Sequence, residues 1–248
     1  MTTDLLILLT NDDGVHASGL QALARAVAPL GRVVTVAPTE NRSAISHALT
    51  LSSPLRIHHL AEDRYAVDGT PADCVLVAMN KILDRPPGLV LSGINAGWNL
   101  GDDVMYSGTV AGAREGSMYG IPSIAFSLQQ AGEMDYDRLA GPLLDICRAS
   151  LAEPLARGVF LNVNFPSNHP AGVRITRLSH KFARAALYEN NDPRGRKYYW
   201  IGEDESSWDD SPDTDFWAVT HEYVSISPLH RDQTAHHTLP ALRRTYDR

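Results

Sequence analysis

Polar residues interrupt the apolar runs of this chain repeatedly at the same kind of place, just past a short strand-like segment. Leu5–Leu9 is apolar throughout, as expected of a strand buried on both faces of a parallel sheet. Further β-type runs occur at Val33–Ala37, Leu89–Leu91, Ile121–Phe126 and Val159–Val163. Helical patterns lie between several of them, at Ser18–Leu30, Pro71–Leu83, Val110–Tyr119 and Asp135–Leu151. Alternating strands and helices predict a doubly wound (Rossmann-like) α/β core, a parallel sheet joined by right-handed crossovers.

Two regions depart from this rhythm. Ala48–Asp68 reads as two extended runs and predicts a hairpin inserted after the second strand. Beyond Pro166 the alternation fades. There NDPRGRKYYWIG reads as a turn and an aromatic strand, EYVSISPLH as another strand, and Pro240–Arg248 as a short helical tail. The expected division is an α/β catalytic core over residues 1–166 and a C-terminal extension over 167–248. That extension carries an oligomerisation hairpin and tail and packs partly on the core.

Three polar loops follow three of the apolar runs, and all are expected at the carboxyl edge of one sheet, where open α/β folds bind ligands. The first is Asn11-Asp12-Asp13-Gly14. Adjacent carboxylates repel each other unless a proton or cation sits between them. The second is Thr39–His47, in which Arg42 can contact a phosphate and Ser43 can offer a hydroxyl to a metal or phosphate. The third is Ser92–Gly116, glycine-rich, with amide oxygens from Asn95 and Asn99. It ends in Ser107-Gly108-Thr109, which opens a helix and so provides a phosphate site. Asp102 and Asp103 read as turn residues. In Gly69–Val75, Thr70, Pro71 and Asp73 form a helix start with a capping box, a structural feature.

These ligand atoms are all oxygens, which suits hard cations such as Mg²⁺, Mn²⁺ or Ca²⁺ rather than a thiolate-rich zinc site. A hard cation beside a helix N-terminus and an arginine describes a phosphoryl-group site. An aspartyl-phosphate phosphatase fits less well, because its DxD pattern is missing: Val15 stands two residues beyond Asp13. A dinucleotide-binding oxidoreductase is excluded by the lack of a GxGxxG after the first run.

Composition narrows the class further. Apolar content of 44% with 21% charged residues suits a soluble globular enzyme, and no run is long enough to span a membrane. A net charge of −7 argues against binding a nucleic-acid polymer. Much of that excess lies in Glu203–Asp215, with seven acids and no base, which reads as a solvated loop. The first ten residues lack the basic start of a secretory signal. Cys74 and Cys147 are the only cysteines and sit in helical patterns, so buried reduced thiols and a cytoplasmic protein are expected.

Taken together, these blocks resemble the SurE (stationary-phase survival protein) family of metal-dependent nucleotidases. The resemblance runs over nearly the whole chain. It rests on NDDG at Asn11–Gly14, APxxNRS at Ala37–Ser43, GTPADCV at Gly69–Val75 and the long block Ser92–Gly116, with DPRG, YWIG, TDF and YVSISPLHxDxTAH toward the C-terminus. It implies hydrolysis of nucleoside 5′- or 3′-monophosphates by water attack, with some activity on short polyphosphates. It implies one divalent cation (Mn²⁺, Mg²⁺ or Co²⁺) per subunit on Asp12, Asp13, Ser43 and Asn95, with Asp12 or Asp13 as the base. Asn99, Ser107, Gly108 and Thr109 become the phosphate pocket, and a homodimer or homotetramer the assembly.

Overall fold

A computed structural model describes residues 5–129, 134–153, 155–182, 186–202 and 207–247. Its strands are β1 (Leu6–Thr10), β2 (Arg32–Pro38), β3 (Ile57–Ala61), β4 (Arg64–Val67), β5 (Leu89–Ala96), β6 (Ser123–Leu128), β7 (Val159–Phe165), β8 (Gly172–Ile175), β9 (Ala186–Asn191), β10 (Lys197–Gly202) and β11 (Tyr223–His230). The helices are α1 (Ser18–Val27), α2 (Pro71–Val77), α3 (Gly108–Met118), α4 (Ala140–Ala152), α5 (Asp215–Thr220) and α6 (Leu239–Tyr246). Nine strands form one sheet in the order β3-β4-β2-β1-β5-β6-β7-β11-β8. From β4 to β7 every neighbouring pair is parallel. The predicted doubly wound α/β core is therefore present.

Successive side chains of β1 point to opposite faces. Ile7 and Leu9 join a core with Leu20 and Leu23 of α1 and Leu143 and Cys147 of α4. Leu6 and Leu8 join another with Cys74 and Val75 of α2. Val110 and Ala113 of α3 pack on that second face, against Ala125 and Phe160. Both cysteines are buried and free, as expected.

The chain steps from β1 to β2 in one direction and then returns to place β5 on the other side of β1. The β1/β5 boundary is thus the switch point, where a crevice opens beyond the strand ends. One crossover departs from the predicted hand. The steps β5–α3–β6 and β6–α4–β7 run the same way, yet α3 and α4 lie on opposite faces. The β6–α4–β7 connection therefore has the opposite hand to the others, although right-handed crossovers are the strong rule. Burial against α1 secures α4 on its face.

The inserted hairpin is present as β3 and β4. The third strand is longer than predicted: pairing with β6 resumes after a register shift as Asn95↔Ser127 and Ala96↔Leu128. Ser92, Gly93 and Asn95 are therefore strand residues. Ile121 precedes β6, because Pro122 delays the ladder and strand structure begins at Ser123. Strand β8 was not legible in the sequence; it extends the central sheet by pairing with β11, which in turn pairs with β7. Among the described residues the aromatic strand, β10, pairs with β9 alone and leaves Tyr199, Trp200 and Ile201 exposed. Among the described residues no helix is long and apolar enough to cross a membrane.

Helix α3 lies unusually close to the sheet because its inner ridge is Gly108, Gly112 and Gly116. A Cβ on Gly112 would stand 2.7 Å from Thr10 Cγ2 and 2.8 Å from Ser92 Oγ, and one on Gly116 would stand 2.5 Å from Ser123 Oγ. Gly141 of α4 offers a contrast, since a Cβ there meets nothing within 4 Å. Gly112→Ala is expected to cost ~1–3 kcal/mol of stability by overpacking, lowering Tm by roughly 2–10 °C. Gly141→Ala is expected to hold or raise Tm through helix propensity. Thermal unfolding of both variants by circular dichroism checks the pair.

Candidate active site

Thr10 ends β1 beside Ser92 of β5, and the next side chains turn into the crevice at the switch point. Asn11 closes the turn on itself: its amide donates to Gly14 O at 3.0 Å, and its Oδ1 accepts from Gly14 N at 3.2 Å. Gly14, at φ +101°, takes a backbone conformation that side chains disfavour. This tight turn presents Asp12 and Asp13 side by side.

Asp12 points under the N-terminus of α3. A Cβ on Gly108 would lie 2.7 Å from Asp12 Cβ and 2.9 Å from Asp12 Oδ2, so only glycine permits this approach. The Thr109 hydroxyl donates to Asp12 Oδ1. Asp12 is 4% exposed. Burial lifts its pKa from the ordinary 3.8 to about 6; the Thr109 hydroxyl opposes that rise and the Asp13 charge adds to it. Burial also raises Asp13, against a lowering hydrogen bond from the Ala96 N–H. The crevice thus concentrates negative charge where solvent screens it poorly, next to the positive end of a helix dipole.

The other predicted residues converge on this pair to different degrees. Asn95 neighbours Asp13 through Ala96, and its Nδ2 donates to Gly97 O at 2.9 Å, so its carbonyl oxygen is the atom that could face a cation. The Arg42 N–H donates to Asp12 O at 2.7 Å and draws the second loop in. Ser43 follows, exposed, with its N–H on Asn41 Oδ1. The Arg42 guanidinium, however, is paired with Glu40 at 2.9 Å, and its Nε is buried without a hydrogen bond. Ser107 is the N-cap of α3 and accepts from Val110 N. Its hydroxyl proton remains available to a ligand. Ser46 ties the second loop to the third through Tyr106 O and Met105 O.

Asn99 is buried and held on several sides. Its Nδ2 donates to Ser127 Oγ at 2.7 Å, its N–H donates to Asn164 Oδ1, and its carbonyl accepts from Asn162 and Asn164. One proton of its amide group is left for a ligand. Sequence reasoning missed Asn162 and Asn164, although two asparagines in the otherwise apolar strand VFLNVNF were a visible signal. It also missed Tyr136, a buried phenol near Asp13 whose pKa is raised by burial. The expected capping box at Thr70 and Asp73 is present. The acidic segment is not uniformly solvated: residues 203–206 lie outside the described residues, while Asp209 pairs with Arg177 at 2.9 Å and Asp215 is fully buried. Trp98 is half-buried, its Nε1 donating to Phe165 O at 2.7 Å.

Among the described residues no three His, Cys, Asp or Glu side chains gather as a metal-binding group. A cation in this crevice would therefore rest on two carboxylates and neutral oxygens.

Residues 7–185 match the family described as Survival protein SurE. A protein of Pelobacter propionicus named 5′-nucleotidase SurE is 47% identical over 232 residues, covering 92% of this chain and 94% of the relative. One of Escherichia fergusonii named 5′/3′-nucleotidase SurE is 48% identical over 234 residues, covering 93% and 92%. Among solved structures, the SurE protein of Aquifex aeolicus matches with a TM-score of 0.87 and 42% identity over 97% of this chain and 99% of that one. Agreement of this extent, in sequence and in fold, means that the chain belongs to the SurE family.

Proposed function

We propose that this chain is a metal-dependent nucleotidase, hydrolysing nucleoside 5′- or 3′-monophosphates to nucleoside and inorganic phosphate. The observation that carries the reading is the Asp12–Asp13 pair, with Asp12 buried and packed against the N-terminus of α3. The nucleotidase names of its full-length relatives supply the substrate class.

A divalent cation fits this donor set. Two adjacent carboxylates, one of them buried, need positive charge to stay ionised together, and Ser43 and Asn95 add neutral oxygens of the kind hard cations take. When bound, such a cation (Mn²⁺, Mg²⁺ or Co²⁺) supplies Lewis-acid stabilisation of phosphoryl charge and makes water more acidic. The protein does the rest. The Gly108 N–H, the Ser107 hydroxyl and the free amide proton of Asn99 hold phosphoryl oxygens at the positive end of α3. Asp12 or Asp13 takes a proton from the attacking water. A P–O bond forms to that water, the ester P–O bond breaks, and the leaving nucleoside oxygen is protonated. Positioning and charge stabilisation supply most of such catalysis.

Short polyphosphates present the same terminal phosphoryl group and are proposed as side substrates. The exposed aromatic face of β9–β10 is proposed as the arm of a homodimer or homotetramer. Two buried reduced thiols support a cytoplasmic setting.

Chelation by EDTA is expected to abolish phosphate release from nucleoside monophosphates, and added Mn²⁺ or Mg²⁺ to restore it; phosphate assays on 5′- and 3′-substrates check this. Asp12→Asn should lower kcat by at least a hundredfold. Activity near wild type at saturating Mn²⁺ would remove Asp12 from the site.

Asp12 also makes metal-free stability depend on pH. Its folded pKa lies above the unfolded value, so folding favours the protonated acid. That stability is intact below about pH 4 and is lost as pH rises toward and past about 6. At pH 8 the loss is up to about 3 kcal/mol. Asp12→Asn should therefore raise the Tm of the metal-free protein at pH 8 while reducing the stabilisation that Mn²⁺ confers. Paired thermal scans with EDTA and with Mn²⁺ measure both.

A further inference from the structure

The acidic segment ends in a carboxylate unlike its neighbours. Asp215, the first residue of α5, is fully buried and forms no ion pair among the described residues. Its oxygens accept backbone N–H groups instead: Gly101 on Oδ2, Ser179 and Phe216 on Oδ1, each at 2.8 Å. Hydrogen bonds to an ionised acceptor are the strong ones. Asp215 thereby clamps the far end of the loop that carries Asn99.

The packing leaves this loop little freedom. Gly101 sits at φ +49°, and a Cβ there would lie 2.5 Å from Ser179 O. Lys181 reaches Asp103 at 3.3 Å and lies over the Trp208 ring, which stacks on Phe216. From the other side Asn164 holds both the N–H and the carbonyl of Asn99, and Asn162 the carbonyl again. With its backbone held at both ends, Asn99 has only its side chain to offer a ligand. Asparagine at position 215 could accept on one oxygen only and would turn its NH₂ toward a backbone donor.

We propose that Asp215, with Asn164 opposite it, is a positioning residue for the phosphate site: it acts through the Gly101 N–H to fix the Asn99 side chain. This inference rests on the reading of Asn99 as a phosphate ligand.

Equilibrium dialysis of inorganic phosphate against the Mn²⁺-loaded full-length protein tests it without requiring turnover. Asn99→Ala and Asp215→Asn are each expected to weaken phosphate binding about tenfold. The double variant should be no weaker than Asn99→Ala alone, because residues acting through one group do not add. The rise in Tm on adding Mn²⁺ should persist in all three, separating a displaced loop from a lost fold. Wild-type phosphate affinity in Asp215→Asn, or multiplicative losses in the double variant, would overturn the proposal while leaving Asn99 a ligand. Wild-type affinity in Asn99→Ala would overturn the proposal together with its premise. Asn164→Ser is measured alongside in case Asp215→Asn does not fold. A severalfold loss that vanishes in the Asn99→Ala background supports the proposal, and unchanged affinity overturns it.

Discussion

The close seating of α3 on β1 and β5 is the contact on which the rest of this structure depends. Three glycines on one helix ridge remove the side chains that would hold the helix away from the sheet. Dispersion and burial then draw the helix onto Thr10 and Ser92, and its N-terminus arrives directly over the Asp12 carboxylate. A Cβ at position 108 would displace the helix end or the carboxylate, and the positive end of the dipole would no longer face the crevice.

That seating carries an energetic penalty which the proposed function explains. A carboxylate at 4% exposure beside a second carboxylate is an unfavourable element of a fold. Thr109 and the Ala96 N–H offset only part of it, since both acids remain raised. Sites that handle phosphoryl groups need concentrated charge in a poorly screened place, and the demands of stability and chemistry conflict there. A cation would relieve both.

The C-terminal segments take part in the same arrangement. Strand β11 pairs with β7 and thereby supports the strand that supplies Asn162 and Asn164. Helix α5 contributes Asp215, and Trp208 and Lys181 close over the loop that carries Asn99. The central sheet and the site loop are therefore shaped by residues more than a hundred positions apart in sequence.

Local pattern determined a good deal by itself. Unbroken apolar runs and helical periods marked the parallel core, because burial on both faces leaves no room for polar residues. Glycine, asparagine and aspartate after β1 marked the turn that opens into the crevice, because turn chemistry and strand ends coincide in such folds. The capping box at Thr70 was legible because a cap is made by neighbours in sequence. Other features depend on contacts between distant segments. The length of β5 was set by its partner β6, and the face taken by α4 by its packing on α1. The hold of Asn164 and Ser127 on Asn99 and the burial of Asp215 arose in the same way. No local pattern encodes those pairings, since each is the free energy of two surfaces that meet only after the chain has folded.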